Sequence, residues 1–324
     1  MPVPPKHRTQ LSQRKVIYAG LAGNFLVAAT KLAAAAFTGS SAMLSEGVHS
    51  VVDSGNSILL LYGLHRAAIK PDREHPLGYG REIYFWSFVV AVLVFALGAG
   101  VSLFEGVSHI LNPEPIQHLW VNYAVLGLSA LFDGTTWWLA LRHFKGRTRF
   151  ANLLNAVRTS KDPPAFMVLF EDSAALVGLA IAAAGTFASV QFQLPALDGV
   201  ASILISLVLA FSAAVLARET KGLLIGEAAD PVIVAAMMKI AEDMDGIANA
   251  NGILTIHLAP AQILVSLSLE FDDELRTPEI EAKVTELERC LRKLHPEVVA
   301  VFVKPQSSAR YKEAMTSKYG GQGG

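Results

Sequence analysis

The feature that most restricts this chain is a series of apolar stretches too long for strands and too unbroken for surface helices. They cover roughly 15–37, 41–64, 82–108, 118–142, 164–189 and 196–217. A helix crosses the hydrocarbon core of a bilayer with about 20 mostly apolar residues, and each stretch is long enough. Composition agrees, since 17% of residues are charged where a soluble domain carries about 25%. The pattern predicts a mainly α membrane protein with six transmembrane helices over 15–217, embedded in a lipid bilayer.

The connecting segments carry an orientation signal. Lys6, Arg8, Arg14 and Lys15 precede the first stretch. Arg66, Lys70, Arg73 and Arg81 lie between the second and third, and Arg142, Lys145, Arg147, Arg149, Arg158 and Lys161 between the fourth and fifth. The alternate segments 38–41, 109–117 and 190–195 contain no Lys or Arg. Basic loops stay on the cytoplasmic side, so residues 1–14 form a cytoplasmic N-terminal segment and the C-terminus is cytoplasmic too. The first apolar stretch outruns the 7–15 residues of a signal peptide and reads as a retained span. No transit-type leader stands out, which favours a bacterial inner membrane.

After the last span the pattern changes. Asp230-Pro231 reads as an N-cap and first helical residue, and Ile233, Met237, Ile240 and Met244 mark one helix face. Ile263, Val265, Leu267, Leu269 and Phe271 alternate with polar residues as in a half-buried strand. Thr277-Pro278 opens a second helix, and 253–258 and 298–303 read as further strands. Residues 222–305 therefore form a small cytoplasmic α+β (ferredoxin-like) domain. It holds seven Lys and Arg against fourteen Asp and Glu. The segment 306–324, ending GGQGG, reads as a disordered tail.

Several functions are excluded at this level. A net charge of −1 gives no basis for nucleic-acid binding. A single cysteine, Cys290, excludes an intrachain disulfide and a Cys-based zinc finger, and it falls on the buried stripe of its predicted helix as a packed thiol. With no HExxH motif and no evident nucleophile, an enzyme is not expected, nor is an organic cofactor.

Function should lie where ionisable residues enter the hydrocarbon core, because each costs several kcal/mol unless it faces a cavity with a partner. In the second span, His49 and Asp53 sit four apart and share a helix face, which Asn56 extends. An imidazole and a carboxylate together suit a divalent metal. In the fifth span Glu171 and Asp172 are adjacent. Two neighbouring carboxylates cannot both stay ionised cheaply in lipid, which a bound dication or a shared proton resolves. Lys31 pairs with a carboxylate or snorkels, and Glu105 and Asp133 suit packing or a proton path.

At these residues the chain resembles the cation diffusion facilitators, the family of zinc and related metal transporters. The resemblance covers roughly residues 10–305 and rests on four features. These are SAMLSEGVHSVVDSGNSILLLYG, PDREHPLGYGREIYFW, the plan of six spans plus a cytoplasmic domain, and DGVASILISLVLA in the sixth span. It implies a homodimer exchanging a divalent metal for protons by alternating access, with the metal held between the second and fifth spans. Each of those helices ordinarily gives two ligands four apart. His49 and Asp53 conform, and Asp172 takes the usual aspartate position, but Val168 stands at the other. Glu171 is the nearest replacement, as fourth ligand or proton carrier, with Asn56 auxiliary. This Glu-Asp arrangement resembles the zinc transporter 9-like branch.

The implied substrate is Zn2+, with Mn2+, Fe2+ or Co2+ open because one histidine among carboxylates makes a harder donor set. Two accessory metal sites of the family are altered. Asp72 and His75 fit a cytoplasmic-loop site, but Tyr79 replaces its second histidine. Ser268, Phe302 and Lys304 stand where the cytoplasmic domain would place ligands, so that domain is expected to serve dimerisation. The rival reading is a non-transporting family member acting as a membrane scaffold or metal-responsive partner.

Overall fold

A computed structural model describes residues 6–145 and 161–319. Arg147, Arg149 and Arg158, counted above for orientation, lie outside the described residues. The chain divides into two units, one of Met1–Ala68 with Glu82–Lys221 and the other of Ile69–Arg81 with Gly222–Gly324.

The first unit is a helical bundle. Its helices are α1 (Lys6–Thr38), α2 (Ser41–Ala67), α3 (Glu82–Leu93), α4 (Gly100–Leu111), α5 (Leu119–Lys145), α6 (Pro163–Gln191) and α7 (Ala196–Ile225). A π-helical turn, Val94–Ala99, joins α3 and α4 into one continuous span. Among the described residues five helices are long and apolar enough to cross a membrane: Leu21–Thr38, Glu82–Leu111, Leu119–Arg142, Phe166–Gln191 and Ala196–Ile225. The second of the six expected spans, α2, has the length but not the composition. Glu46, His49, Asp53, Asn56 and five serines interrupt its apolar residues.

Packing explains how such a helix is accommodated. α2 lies against α1, α3, the π turn, α4 and α6, and its polar residues Glu46, His49 and Asn56 are buried. The apolar side chains exposed instead, such as Phe25, Phe104, Trp120 and Phe211, suit lipid contact. Small residues set the helix spacing. A Cβ on Gly106 of α4 would come within 2.8 Å of the Gly199 carbonyl of α7, and the reverse contact would be 2.7 Å.

The start of α2 is fixed by two local devices. Gly39, at φ +72°, ends α1 in a left-handed conformation that glycine adopts freely. Ser40 then caps α2 by accepting from the Met43 amide at 3.1 Å. Asp198, fully buried in the first turn of α7, accepts from the hydroxyls of Ser40 and Ser41 and from the Ala42 amide at 3.0–3.1 Å. A carboxylate at a helix N-terminus also meets the positive end of the helix dipole.

The second unit follows the expected order. Asp230 accepts from the Val232 amide at 2.8 Å and starts α8 (Pro231–Glu242). Strands β1 (Ile247–Ala259) and β2 (Gln262–Phe271) pair antiparallel, α9 (Thr277–Leu294) follows, and β3 (Val298–Pro305) pairs parallel with β2. Val265, Leu267 and Leu269, alternate residues of β2, meet Met237 and Ala241 of α8 and Leu287 and Leu291 of α9 in the core. The α+β class stands, with three strands in the order β1-β2-β3. The ferredoxin-like pattern opens with a further strand, which is absent among the described residues, and the neighbouring β2 and β3 run parallel, as a helix crossover permits.

The expected disordered tail is corrected at its start, because Ser308–Tyr319 forms a helix, α10. Polar anchors outweigh its low apolar content. The Ser308 hydroxyl bonds Glu270 of β2 and Asn251 of β1, its amide donates to Glu270 at 3.1 Å, and Asn249 donates to Ser308 at 2.7 Å.

Two outcomes are expected. Asp198→Ala leaves the α2 N-terminus without its acceptor and costs at least about 2 kcal/mol, measured as a lower unfolding midpoint of the purified protein in detergent. An unchanged midpoint would remove Asp198 as the tie between α2 and α7. In the second unit, the Ser308 hydroxyl and amide hold the Glu270 carboxyl below its ordinary value. That contribution is present above the usual Glu range and is lost as pH falls through the depressed value. Ser308→Ala should move the Glu270 titration upward by carboxyl NMR and increase amide exchange in α10; no change in either would dismiss the anchor.

Candidate metal site

The site grows from two helices. On α2 the interval of four places His49 and Asp53 on one face, with His49 Nδ1 3.3 Å from Asp53 Oδ1, and Asn56 follows one turn on. On α6, Asn56 meets its partner: its Nδ2 donates to Glu171 Oε1 at 2.9 Å. That bond ties the two helices and points the Glu171 carboxylate at the space between them.

The space is a cavity of about 60 Å3 lined by Asn24 and Val27 of α1, by Ser50, Asp53 and Ser57 of α2, by Asp133 of α5 and by Val168, Glu171, Asp172 and Ala175 of α6. It can hold a cation with a little water. Three of the five residues singled out from the sequence, Asp53, Glu171 and Asp172, are thus brought to one wall. His49 stands one turn from Asp53 and is almost fully buried. Val168, where a ligand is ordinarily expected, faces the same cavity with an inert isopropyl group.

Polar satisfaction is incomplete around this space. Both ring nitrogens of His49, Asp53 Oδ1, Asn56 Oδ1 and Asp172 Oδ2 are buried without a hydrogen-bond partner. The His49–Asp53 contact is close, but its angle makes no hydrogen bond. Buried polar atoms are paired in the great majority of cases, so a cluster of exceptions on adjoining helices marks a place built to meet something else. Among the described residues no three His, Cys, Asp or Glu side chains enclose a common point at ligand distance. The donors form a wall around the cavity and would have to close on an ion.

Sequence reasoning missed Glu46. It lies on α2 three residues before His49, is fully buried, and forms a 3.1 Å ion pair with Lys31 of α1. Lys31 is also 3.6 Å from Asp133, which decides Lys31 for pairing rather than snorkelling and places Asp133 at the cavity. The signal was available: Glu46, His49 and Asp53 share a stripe in SEGVHSVVD.

The accessory sites read differently. In the loop before α3, Tyr79 donates to Asp72 Oδ2 at 2.6 Å, and the amides of Glu74 and His75 donate to Oδ1. These bonds, that of Tyr79 foremost, hold the Asp72 carboxyl below its ordinary value. His75 packs against Tyr79 with its ring tilted by 35°, ring centres 4.2 Å apart. The tyrosine thus closes the loop on the aspartate that a metal would use. In the second unit Ser268 bonds Gln306, while Phe302 is exposed.

The cation efflux transmembrane domain model matches residues 17–225. Metal tolerance protein C4 of Arabidopsis thaliana is 34% identical over 71% of this chain and 50% of its own length. The mitochondrial proton-coupled zinc antiporter SLC30A9 is 29% identical in Xenopus laevis and 28% in Homo sapiens, each over 81% of this chain and 47% of the relative. The chain spans about half the length of these curated relatives. It belongs to the cation efflux family, the cation diffusion facilitators, in the zinc transporter 9-like branch.

Proposed function

We propose that the chain carries a divalent transition-metal ion, zinc foremost, out of the cytoplasm in exchange for protons. The observation that carries this reading is the cavity between α2 and α6, where Asp53, Glu171 and Asp172 converge beside buried, unsatisfied donors. His49, Asp53 and Asp172 would be ligands, Glu171 a fourth ligand or the proton carrier, and Asn56 the residue that positions Glu171.

The chemistry follows from charge. Two ionised carboxylates balance a dication, and a neutral imidazole adds a nitrogen donor that favours zinc over harder ions. Ligands must be deprotonated to bind metal, so proton and metal compete for the same groups. Alternate opening of the cavity to the two sides turns that competition into exchange. Mn2+, Fe2+ and Co2+ remain compatible with a donor set rich in oxygen.

The wider reading has α2 as a sixth span, able to lie in the bundle because its polar face is covered. Both termini face the side of the basic loops, and the second unit serves a homodimer.

The test is uptake of zinc, manganese, iron(II) and cobalt into proteoliposomes under an imposed pH gradient. Wild type should give saturable, gradient-driven flux of at least one ion, falling to background in Asp53→Ala. No flux of any of the four would favour a scaffold role, for which the valine at 168 supplies a reason. In the same vesicles Glu171→Gln should still move metal but carry fewer protons per ion, read from a pH dye inside. Unchanged proton movement would take Glu171 out of the exchange.

A further inference from the structure

Two fully buried charges, Lys31 and Glu46, stand behind the cavity, and a third, Asp133, lines it. On α1, Asn24, Val27 and Lys31 recur at helical spacing and share a face. The first two line the cavity, and Lys31 follows them, fully enclosed. Its ammonium has two unequal partners. Glu46 Oε2 of α2 accepts its hydrogen bond at 3.1 Å, with both side chains inaccessible. Asp133 Oδ2 of α5 lies at 3.6 Å and makes no hydrogen bond.

Asp133 differs from Glu46 in a second way. Its side chain is 14% exposed and forms part of the cavity wall with Asp53, Glu171 and Asp172. Among the residues lining the cavity four carry carboxylates and none is basic, and Lys31 lies against one of them, Asp133, at 3.6 Å. Glu46 is not among the residues lining the cavity. Its Oε1 lies where a Cβ on Gly178 of α6 would collide, so it is wedged between α1 and α6.

We propose that Lys31 is a tethered counter-cation of the transport cavity and Asp133 its exchangeable partner: the ammonium, anchored by Glu46, holds Asp133 loosely and yields it to an entering dication. This rests on the transport reading above and adds to it a pair that sets affinity and release. Four carboxylates around one dication would bind too tightly for a carrier that must release. Opposite charges this close attract strongly at a protein-like dielectric. A fixed positive charge behind one carboxylate therefore lowers metal affinity and gives that carboxylate somewhere to return when the ion leaves.

The test compares wild type with Asp133→Asn and with Lys31→Met combined with Glu46→Gln, which removes ammonium and anchor together so that neither is left buried alone. Binding of Zn2+ and Mn2+ is measured by calorimetry in detergent, and KM and kcat for zinc by flux in proteoliposomes. Asp133→Asn should weaken binding of both ions about tenfold, and the paired variant should tighten it about tenfold with a lower kcat, since release slows. Asp133→Asn placed in the paired background should cost more affinity than in the wild type. A merely structural trio would lower the unfolding midpoint and leave Kd and the KM-to-kcat balance where they were, which would overturn the proposal. So would an Asp133→Asn Kd within about twofold of wild type, and that arm decides alone if the paired variant does not fold, because Asn keeps the volume and loses only the looser contact. Wild type that neither binds nor moves metal would defeat the transport reading instead.

Discussion

A polar helix in an apolar bundle has to find partners for what it buries, and α2 is that helix. Glu46, His49, Asp53 and Asn56 lie on a segment that five neighbouring spans surpass in hydropathy. An unpaired ion in the membrane interior costs several kcal/mol. The bundle meets this demand from every side: Lys31 of α1 pairs Glu46, Glu171 of α6 accepts from Asn56, and Asp198 of α7 takes the helix N-terminus. His49 and Asp53 retain unsatisfied atoms, and so do Glu46 at Oε1 and Asn56 at Oδ1. The bonds that are made build the scaffold, and the unsatisfied atoms that gather beside the cavity mark the candidate site.

Much of this was legible in the chain itself. Span positions follow from apolar length, and the His49–Asp53 stripe from the 3.6-residue period. The second unit's elements follow from Asp230-Pro231, Thr277-Pro278 and the alternation at 263–271. What the sequence could not give is pairing between helices. Lys31 and Glu46 are fifteen residues apart, and Lys31 and Asp133 about a hundred, so nothing local links them. A scan for paired ligands four apart also passes over Glu46, which stands three before His49. The α10 helix escaped for another reason. Its composition is polar, and its order comes from Ser308 meeting Glu270 and Asn251, contacts that exist only once β1 and β2 have paired. The parallel register of β2 and β3 was hidden likewise, since strand direction depends on how α9 crosses over.

The altered positions point one way. Where the family resemblance implies ligands, Val168 presents an inert wall, Tyr79 a donor that ties up Asp72, and in the second unit Ser268 bonds an amide. The cavity is instead rich in carboxylates: Asp53, Glu171 and Asp172, with Asp133 from α5. A donor set that loses imidazole and gains oxygen becomes harder and more negative, and its affinity for a dication then depends on how much of that charge is already balanced. On the reading proposed above, the balancing charge is Lys31, paired with Glu46 of α2 and Asp133 of α5, so affinity for the ion and its release would depend on residues of α1 and α5 as well as on the two helices that present the ligands.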